Sequence, residues 1–355
     1  MTTPEPAEQL RTSYGQLQMS ISSLQTKIHM SDARDALEDF DTKIKGLPQA
    51  VKNLRARKYA FEAVLESQAE EFRQRWATTQ PSVVMFIDQQ ATQLEYAIRP
   101  IEAKMSYLAG QMGNPEYALG LVSELEREVE NLDDKVSGAV TTASGMYDEL
   151  VNQFREVDDH IKDVNFTFDQ LDQASFKLTP AESAIMAIKA TMTRGNKEES
   201  GDPQGFLYLT DQRLLFEQKQ EVATKKVLFI TTERKLVQQL IMETAVAYVT
   251  DVKGVKQGLF KNEDYLYLTF TSGAPYRNTQ FHIYGQDCQV WAGLINRVRA
   301  KEFDKDRVIQ VDQAEVEKVK NAPSVCPACG GAINQVVLRG QDTITCEYCG
   351  HVIRL

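Results

Sequence analysis

Apolar residues in the first half of the chain recur in alternating steps of three and four, the spacing of one helix face. Leu10, Tyr14, Leu17, Ile21, Leu24 and Ile28 form one stripe, and Leu37, Phe40, Ile44, Leu47, Val51, Leu54, Phe61 and Leu65 form a second that is broken only at Lys58. The repeat slips between Ile28 and Leu37, where Ser31 and Asp32 can cap a fresh helix. A third stripe, Val83, Ile87, Leu94, Ile98, Ile101, Met105 and Leu108, starts after Pro81 and stops before the turn Gly113-Asn114-Pro115. Bends are expected at Gly46, Pro48 and Pro100. The longest stripe runs from Val122 to Leu171. A straight helix over it would reach about 75 Å, at roughly 1.5 Å per residue. Such a helix cannot bury its own seam. The pattern therefore predicts a long antiparallel coiled coil or bundle over 1–175, its seam covered by the earlier helices, by a second copy of the chain in a homo-oligomer, or by both.

Near residue 176 the period changes from helical to alternating. Thr179-Pro180-Ala181-Glu182 has capping-box spacing, and seven strands are expected at 184–193, 205–210, 213–218, 226–231, 244–252, 265–271 and 279–284. Asp211, Gly254, Gly258, Gly273 and Pro275 mark the turns. A helix over 286–301 follows, with Cys288, Trp291, Ile295 and Val298 on its apolar face, so residues 176–303 read as one β-rich domain.

Three segments of this domain carry a family likeness: the opening Leu178-x-x-x-Glu182, the hairpin from Gly205 to Phe216 (GFLYLTDQRLLF), and Asp251 to Phe260 (DVKGVKQGLF). Together they resemble the GRAM and bacterial branch of the pleckstrin-homology (PH) superfold. The resemblance covers the segment 176–303. It implies a non-catalytic binding module, for lipid headgroups in some members and for proteins in others. The whole chain is then a multidomain α+β protein: an α-helical coiled coil or bundle (1–175), a PH/GRAM-like seven-stranded domain with a C-terminal helix (176–303), a linker (304–324) and a final cysteine-rich unit (325–355).

That last unit holds the clearest chemistry. Cys326-Pro-Ala-Cys329 and Cys346-Glu-Tyr-Cys349 are two C-x-x-C turns on either side of segment 330–345, the ligand spacing of a four-cysteine zinc site. Gly330 and Gly350 follow the second cysteine of each pair and permit the positive φ that lets backbone N–H groups approach sulfur. Two short strands, 335–338 and 343–345, are expected between the knuckles. The unit resembles a zinc ribbon. One structural Zn2+ is expected on Cys326, Cys329, Cys346 and Cys349, since four thiolates leave no open position for catalysis, with His351 the alternative fourth ligand. A redox dithiol would need only one C-x-x-C. Cys288, alone on the helix stripe, reads as a buried thiol.

Charge narrows the partners. The chain has 355 residues and a net charge of −10, with −12 in 1–175, +3 in 176–303 and −1 in 304–355. From Cys326 onward only Arg339 and Arg354 are cationic and Tyr348 is the lone aromatic, so nucleic-acid binding is disfavoured. Candidate anionic-lipid contacts are Arg194, Lys197, Lys253, Lys256 and Lys261, with Lys225, Lys226, Arg234 and Lys235 as further cations; all are interspersed with acids, and ordinary solvated charge stays the competing reading. There is no Walker A motif, G-x-S-x-G, H-E-x-x-H or dinucleotide fingerprint, and none of His29, His160, His282 and His351 neighbours a nucleophile in sequence. No run of about 18 apolar residues and no secretory signal is present, and the thiols suit a reducing cytosol. The expectation is a non-enzymatic cytoplasmic scaffold or adaptor that docks protein partners, or an anionic membrane surface peripherally. The alternative is a nucleic-acid-associated or transcription-related zinc-ribbon protein.

Overall fold

Five helices occupy the N-terminal stripes: α1 (Pro6–Lys27), α2 (Ser31–Ala56), α3 (Val64–Gly110), α4 (Pro115–Gly145) and α5 (Asp148–Asp172). This computed structural model describes residues 6–193, 198–199, 201–227, 230–260 and 262–355, with the backbone alone over 222–227 and 230–234. The Lys58 interruption proves to be a helix end. Lys58 takes a φ of 69°. Tyr59 N–H closes α2 by donating to Leu54 O at 3.0 Å, a left-handed terminus rather than a polar lapse in a continuing helix. Conversely, α3 begins at Val64 and passes through Pro81 and Pro100. Buried Phe72 and Trp76 before Pro81, and Val83 and Ile87 after it, hold the helix together against a proline cost of about 3 kcal/mol. The longest stripe is divided between α4 and α5 by a tightened turn in which Tyr147 N–H donates to Ser144 O at 3.1 Å.

The chain divides into two compact units, residues 1–48 with 67–158 and residues 49–66 with 159–355. In the first unit the stripes are buried within one chain: Leu10, Leu17, Ile21 and Leu24 of α1, and Val122, Leu125, Val129, Leu132 and Val136 of α4. Lys27 pairs with Asp133 at 2.7 Å, and Lys104 pairs with Glu124 at 2.7 Å, so α3 and α4 run antiparallel on either side of the 111–114 turn. Phe40 is ringed by Trp76, Tyr147 and Phe154, with centroids 4.9, 5.7 and 5.5 Å away. These stripe positions are thus buried against helices of the same chain, one of the coverings the pattern allowed.

In the second unit, strands β1 (Ala184–Thr193), β2 (Gln204–Thr210), β3 (Arg213–Val227), β4 (Ile230–Ala245), β5 (Val249–Gln257), β6 (Glu263–Phe270) and β7 (Thr279–Ile283) form one antiparallel sheet in the order β4-β3-β2-β1-β7-β6-β5. Helix α6 (Cys288–Arg299), capped by Asp287 accepting from Gln289 N–H, packs on β5 and β6. Seven antiparallel strands closed by a C-terminal helix is the element order that the PH resemblance implies. Trp291, Phe216 and Phe281 are wholly buried in the core.

The expected third strand is much longer than the alternation suggested, and the expected fourth, 226–231, is no strand of its own: it takes in the end of β3 and the start of β4. β3 and β4 pair from Arg213↔Ala245 out to Val227↔Ile230. Beyond Gln218 they form a two-stranded ribbon that satisfies backbone groups across the pair. The fifth expected strand is interrupted by a 3-10 turn at Val246–Tyr248. Among the described residues no helix is long and apolar enough to cross a membrane.

Candidate metal centre

The two C-x-x-C segments fold as a matched pair of knuckles. Gly330 N–H donates to Cys326 O and Gly350 N–H to Cys346 O, both at 2.9 Å; Cys326 N–H donates to Gly331 O at 2.8 Å and Cys346 N–H to His351 O at 2.9 Å. Gly330 sits at a φ of 72° and Gly350 at 71°. A side chain at either position would be strained. The second knuckle is carried by a hairpin of β8 (Thr343–Thr345) and β9 (Val352–Arg354), the first by a bridge between Val325 and Ala332.

This arrangement brings the four thiols together. All four Sγ atoms lie within 4.8 Å of one another, with Cys326–Cys349 and Cys329–Cys346 each 3.7 Å apart. The N–H groups of Tyr348 and Cys349 point at the Cys346 sulfur and lower its pKa to about 7, so the backbone favours a thiolate there. Four convergent thiols suit a metal ion. His351 contributes its carbonyl, and its ring is not among the grouped donors.

The cysteine unit docks on the β domain. Asp211, in the β2–β3 turn, accepts from Arg307 and Arg339, each at 2.5 Å, with its side chain only 2% exposed. Burial pushes the Asp211 carboxyl up, while Arg339, the Ser183 N–H and Arg307 pull it down. Gln212 grips the backbone of Arg339 twice, accepting from its N–H at 2.6 Å and donating to its carbonyl at 3.2 Å. Val336 N–H donates to the Tyr248 hydroxyl at 2.8 Å, and Gly340 N–H to Glu315 of α7 (Gln313–Lys320) at 2.9 Å. Residues 335–338 therefore do not form the expected strand. The Val336 and Leu338 amides donate to the side chains of Tyr248 and Gln341, and β8 pairs with β9 instead.

The same turn explains the hairpin signature. Thr210 Oγ1 accepts from the N–H groups of Gln212 and Arg213, and the Arg213 guanidinium reaches the buried Glu182 and, on its outer side, Glu243. Glu182 in turn accepts from Thr179 N–H at 3.0 Å, so the capping-box residues build a single turn locked to β3. Sequence reasoning named Asp211 only as a turn marker and did not single out Gln212 or Arg307. The signal within reach was a buried-acid position flanked by Thr210 and Arg213.

Of the candidate lipid contacts, two are described. Lys253 pairs with Asp251 at 3.2 Å; Lys256 sits between Asp287 at 2.8 Å and Asp264 at 3.5 Å. Arg194, Lys197 and Lys261 lie outside the described residues, as do the side chains of Lys225, Lys226 and Arg234. Asp264, Asp287 and Cys288 also cluster, but the Lys256 ammonium already occupies the space between the two carboxylates. Cys288 is fully buried and its thiol is pushed up to about 11 by burial and then by Asp264, as an inert core thiol should be. His282 and Tyr284 both bond Glu198, at 2.5 and 2.8 Å.

No protein-family model and no curated protein matches the chain. Among solved structures, the Vps36 N-terminal PH domain is 15% identical, covering 36% of this chain and 85% of its own, with a TM-score of 0.25. The DH/PH domains of p115-RhoGEF are 11% identical over 84% of this chain and 95% of theirs, at 0.22. Those of PDZ-RhoGEF, in complex with GTP-gamma-S activated RhoA, are 10% identical over 84% and 96%, at 0.24. TM-scores this low leave the sheet topology itself as the basis for comparing folds.

Proposed function

We propose that the chain is a non-enzymatic adaptor whose PH/GRAM-like domain and docked zinc ribbon together form one protein-binding module. The observation that carries this reading is the thiol cluster fastened to the β2–β3 turn through Asp211 and Gln212. A tetrahedral Zn2+ with bonds of about 2.3 Å sets its sulfurs about 3.8 Å apart, which the 3.7 Å separations of the two facing cysteine pairs match. When bound, the ion supplies structural cross-linking, and four thiolates fill its coordination sphere. Cys326, Cys329, Cys346 and Cys349 would hold it.

Charge supports a protein partner over the alternatives. Lys253 and Lys256 are each neutralised by acids, which weakens an anionic-lipid patch around them. Arg339, one of two cations beyond Cys326, is spent on Asp211 and Asp304, which weakens the nucleic-acid reading. The helical half buries its stripes within one chain, so the adaptor role rests on the second unit and not on oligomerisation. Elemental analysis of the purified chain should return about one equivalent of zinc that survives dialysis and leaves only with a strong chelator. A metal-free protein would sink the reading. Salt-sensitive sedimentation with anionic vesicles would replace the protein partner with a membrane.

A further inference from the structure

A groove of about 540 Å3 opens beside the docked ribbon, within the roughly 300–1,000 Å3 range of ligand clefts. Its apolar walls are Val336, Val337 and Leu338 of the ribbon, Val316 and Val319 of α7, and Val311. All six are half-buried, and α7 has no buried residue, so its valine pair lines open space where a packed helix would meet a neighbour. Exposed apolar surface costs about 25 cal/mol per Å2, a cost that an occupant would relieve.

The charge of this groove is opposite to that of the chain. Five cations and two carboxylates line it, for +3, in a protein of −10. The two carboxylates, Asp211 and Asp304, are already engaged by Arg307 and Arg339. Arg299, Lys301 and Lys320 remain. Among the described residues, Arg299 donates only to neutral oxygens, those of Asn296 and Thr250, and no carboxylate pairs with Lys301 or Lys320.

We propose that this groove docks an acidic, apolar peptide segment of a partner protein. The proposal deepens the adaptor reading and rests on it. An acyl chain asks for an enclosed, dry cavity; this groove is partly open to solvent and carries the Gln313 amide and the Gln310 amide oxygen, which can bond a peptide backbone. The ribbon supplies one wall, so the thiol centre acts as the part that builds the site.

The test is selection of displayed random peptides on the full-length, metal-loaded chain, then anisotropy titration of the enriched peptides. Enriched peptides should combine Asp or Glu with Leu, Ile or Phe. Their Kd should rise at least about tenfold in Lys301→Glu/Lys320→Glu and in Val319→Asp, and stay unchanged in Leu259→Ser, at an exposed apolar residue on the β5–β6 loop. Both groove variants alter residues that are exposed or half-buried, and circular dichroism with zinc content confirms that they fold. Basic peptides, peptides indifferent to the groove variants, no enrichment at all, or binding of dodecanoate in place of any peptide would each overturn the proposal. Peptides that bind elsewhere would overturn the groove and leave the adaptor reading standing, whereas a metal-free chain would remove that reading first.

Discussion

The β domain and the cysteine unit lie in one compact unit but are held by different forces. The β domain closes over large apolar side chains, among them Trp291, Phe216 and Phe281, none of them measurably exposed. The cysteine unit has only four buried residues, Cys326, Ile344, Cys346 and Ile353, and two of those are thiols. The first is stabilised by removing apolar surface from water. The second has too little such surface to fold by that route; its four thiols converge as a metal site would need, and it borrows contacts from Asp211, Gln212 and Tyr248. A small region can thus acquire a defined position without a core of its own, provided its polar groups find partners on a larger neighbour.

The comparison breaks first at the thiols. Cys346→Ser should abolish stoichiometric zinc and hydrogen-exchange protection over 325–355 while β1–β7 keep theirs; loss of protection across the sheet would show that the β domain leans on the ribbon instead. Trp291→Ala should do the reverse, costing about 3–5 kcal/mol in denaturant unfolding of the β domain. Asp211→Ala leaves Arg307 and the half-buried Arg339 with only the more exposed Asp304 as a carboxylate partner and should cost about 3 kcal/mol. With zinc content unchanged and exchange at 335–341 accelerated, that variant would separate docking from metal binding. Unaltered exchange there would mean that Gln212 and Tyr248 suffice.

The smallest effect sharpens the contrast through pH. Glu62 and His160 bond at 2.6 Å, and Phe61, next in the same loop, is buried. Burial lowers the His160 pKa, but Glu62 and Asp163 outweigh it and the imidazole titrates above 6.5; the same bond and Tyr59 outweigh burial at Glu62 and hold it below 4.5. The histidine contribution is complete below pH 6.5 and fades as pH rises through its raised value. The glutamate contribution is complete above pH 4.5 and fades as pH falls through its lowered one. His160→Gln should therefore cost on the order of 1 kcal/mol between about pH 4.5 and 6.5 and progressively less above. Thermal melts of both proteins across that range would show it, and a pH-independent difference would remove the charge pair from the account.

Much of this molecule was legible from local pattern. Strand alternation, the helix stripes and the paired C-x-x-C turns are written in residues a few positions apart, and the distances that matter, such as Gly330 N–H to Cys326 O, are set by one turn of chain. The longer β3–β4 ribbon was not legible, because the window 226–231 runs the end of one strand into the start of the next and only the backbone register separates them. Nor was the end of α2 at Lys58, where a lapse in a stripe and a left-handed terminus look alike on paper.

Sequence by itself determined the pairing of the four clustered thiols, the β-rich domain with its closing helix, and the acidic balance of the helical half, since each follows from residue type and short-range spacing. Tertiary structure alone decided that the stripes close within one chain. It also decided that Asp211, Gln212, Arg307 and Arg339 meet, and that the ribbon walls a cationic apolar groove. Arg339 reaches Asp211 across 128 positions, and nothing short of the folded backbone sets a distance between residues so far apart.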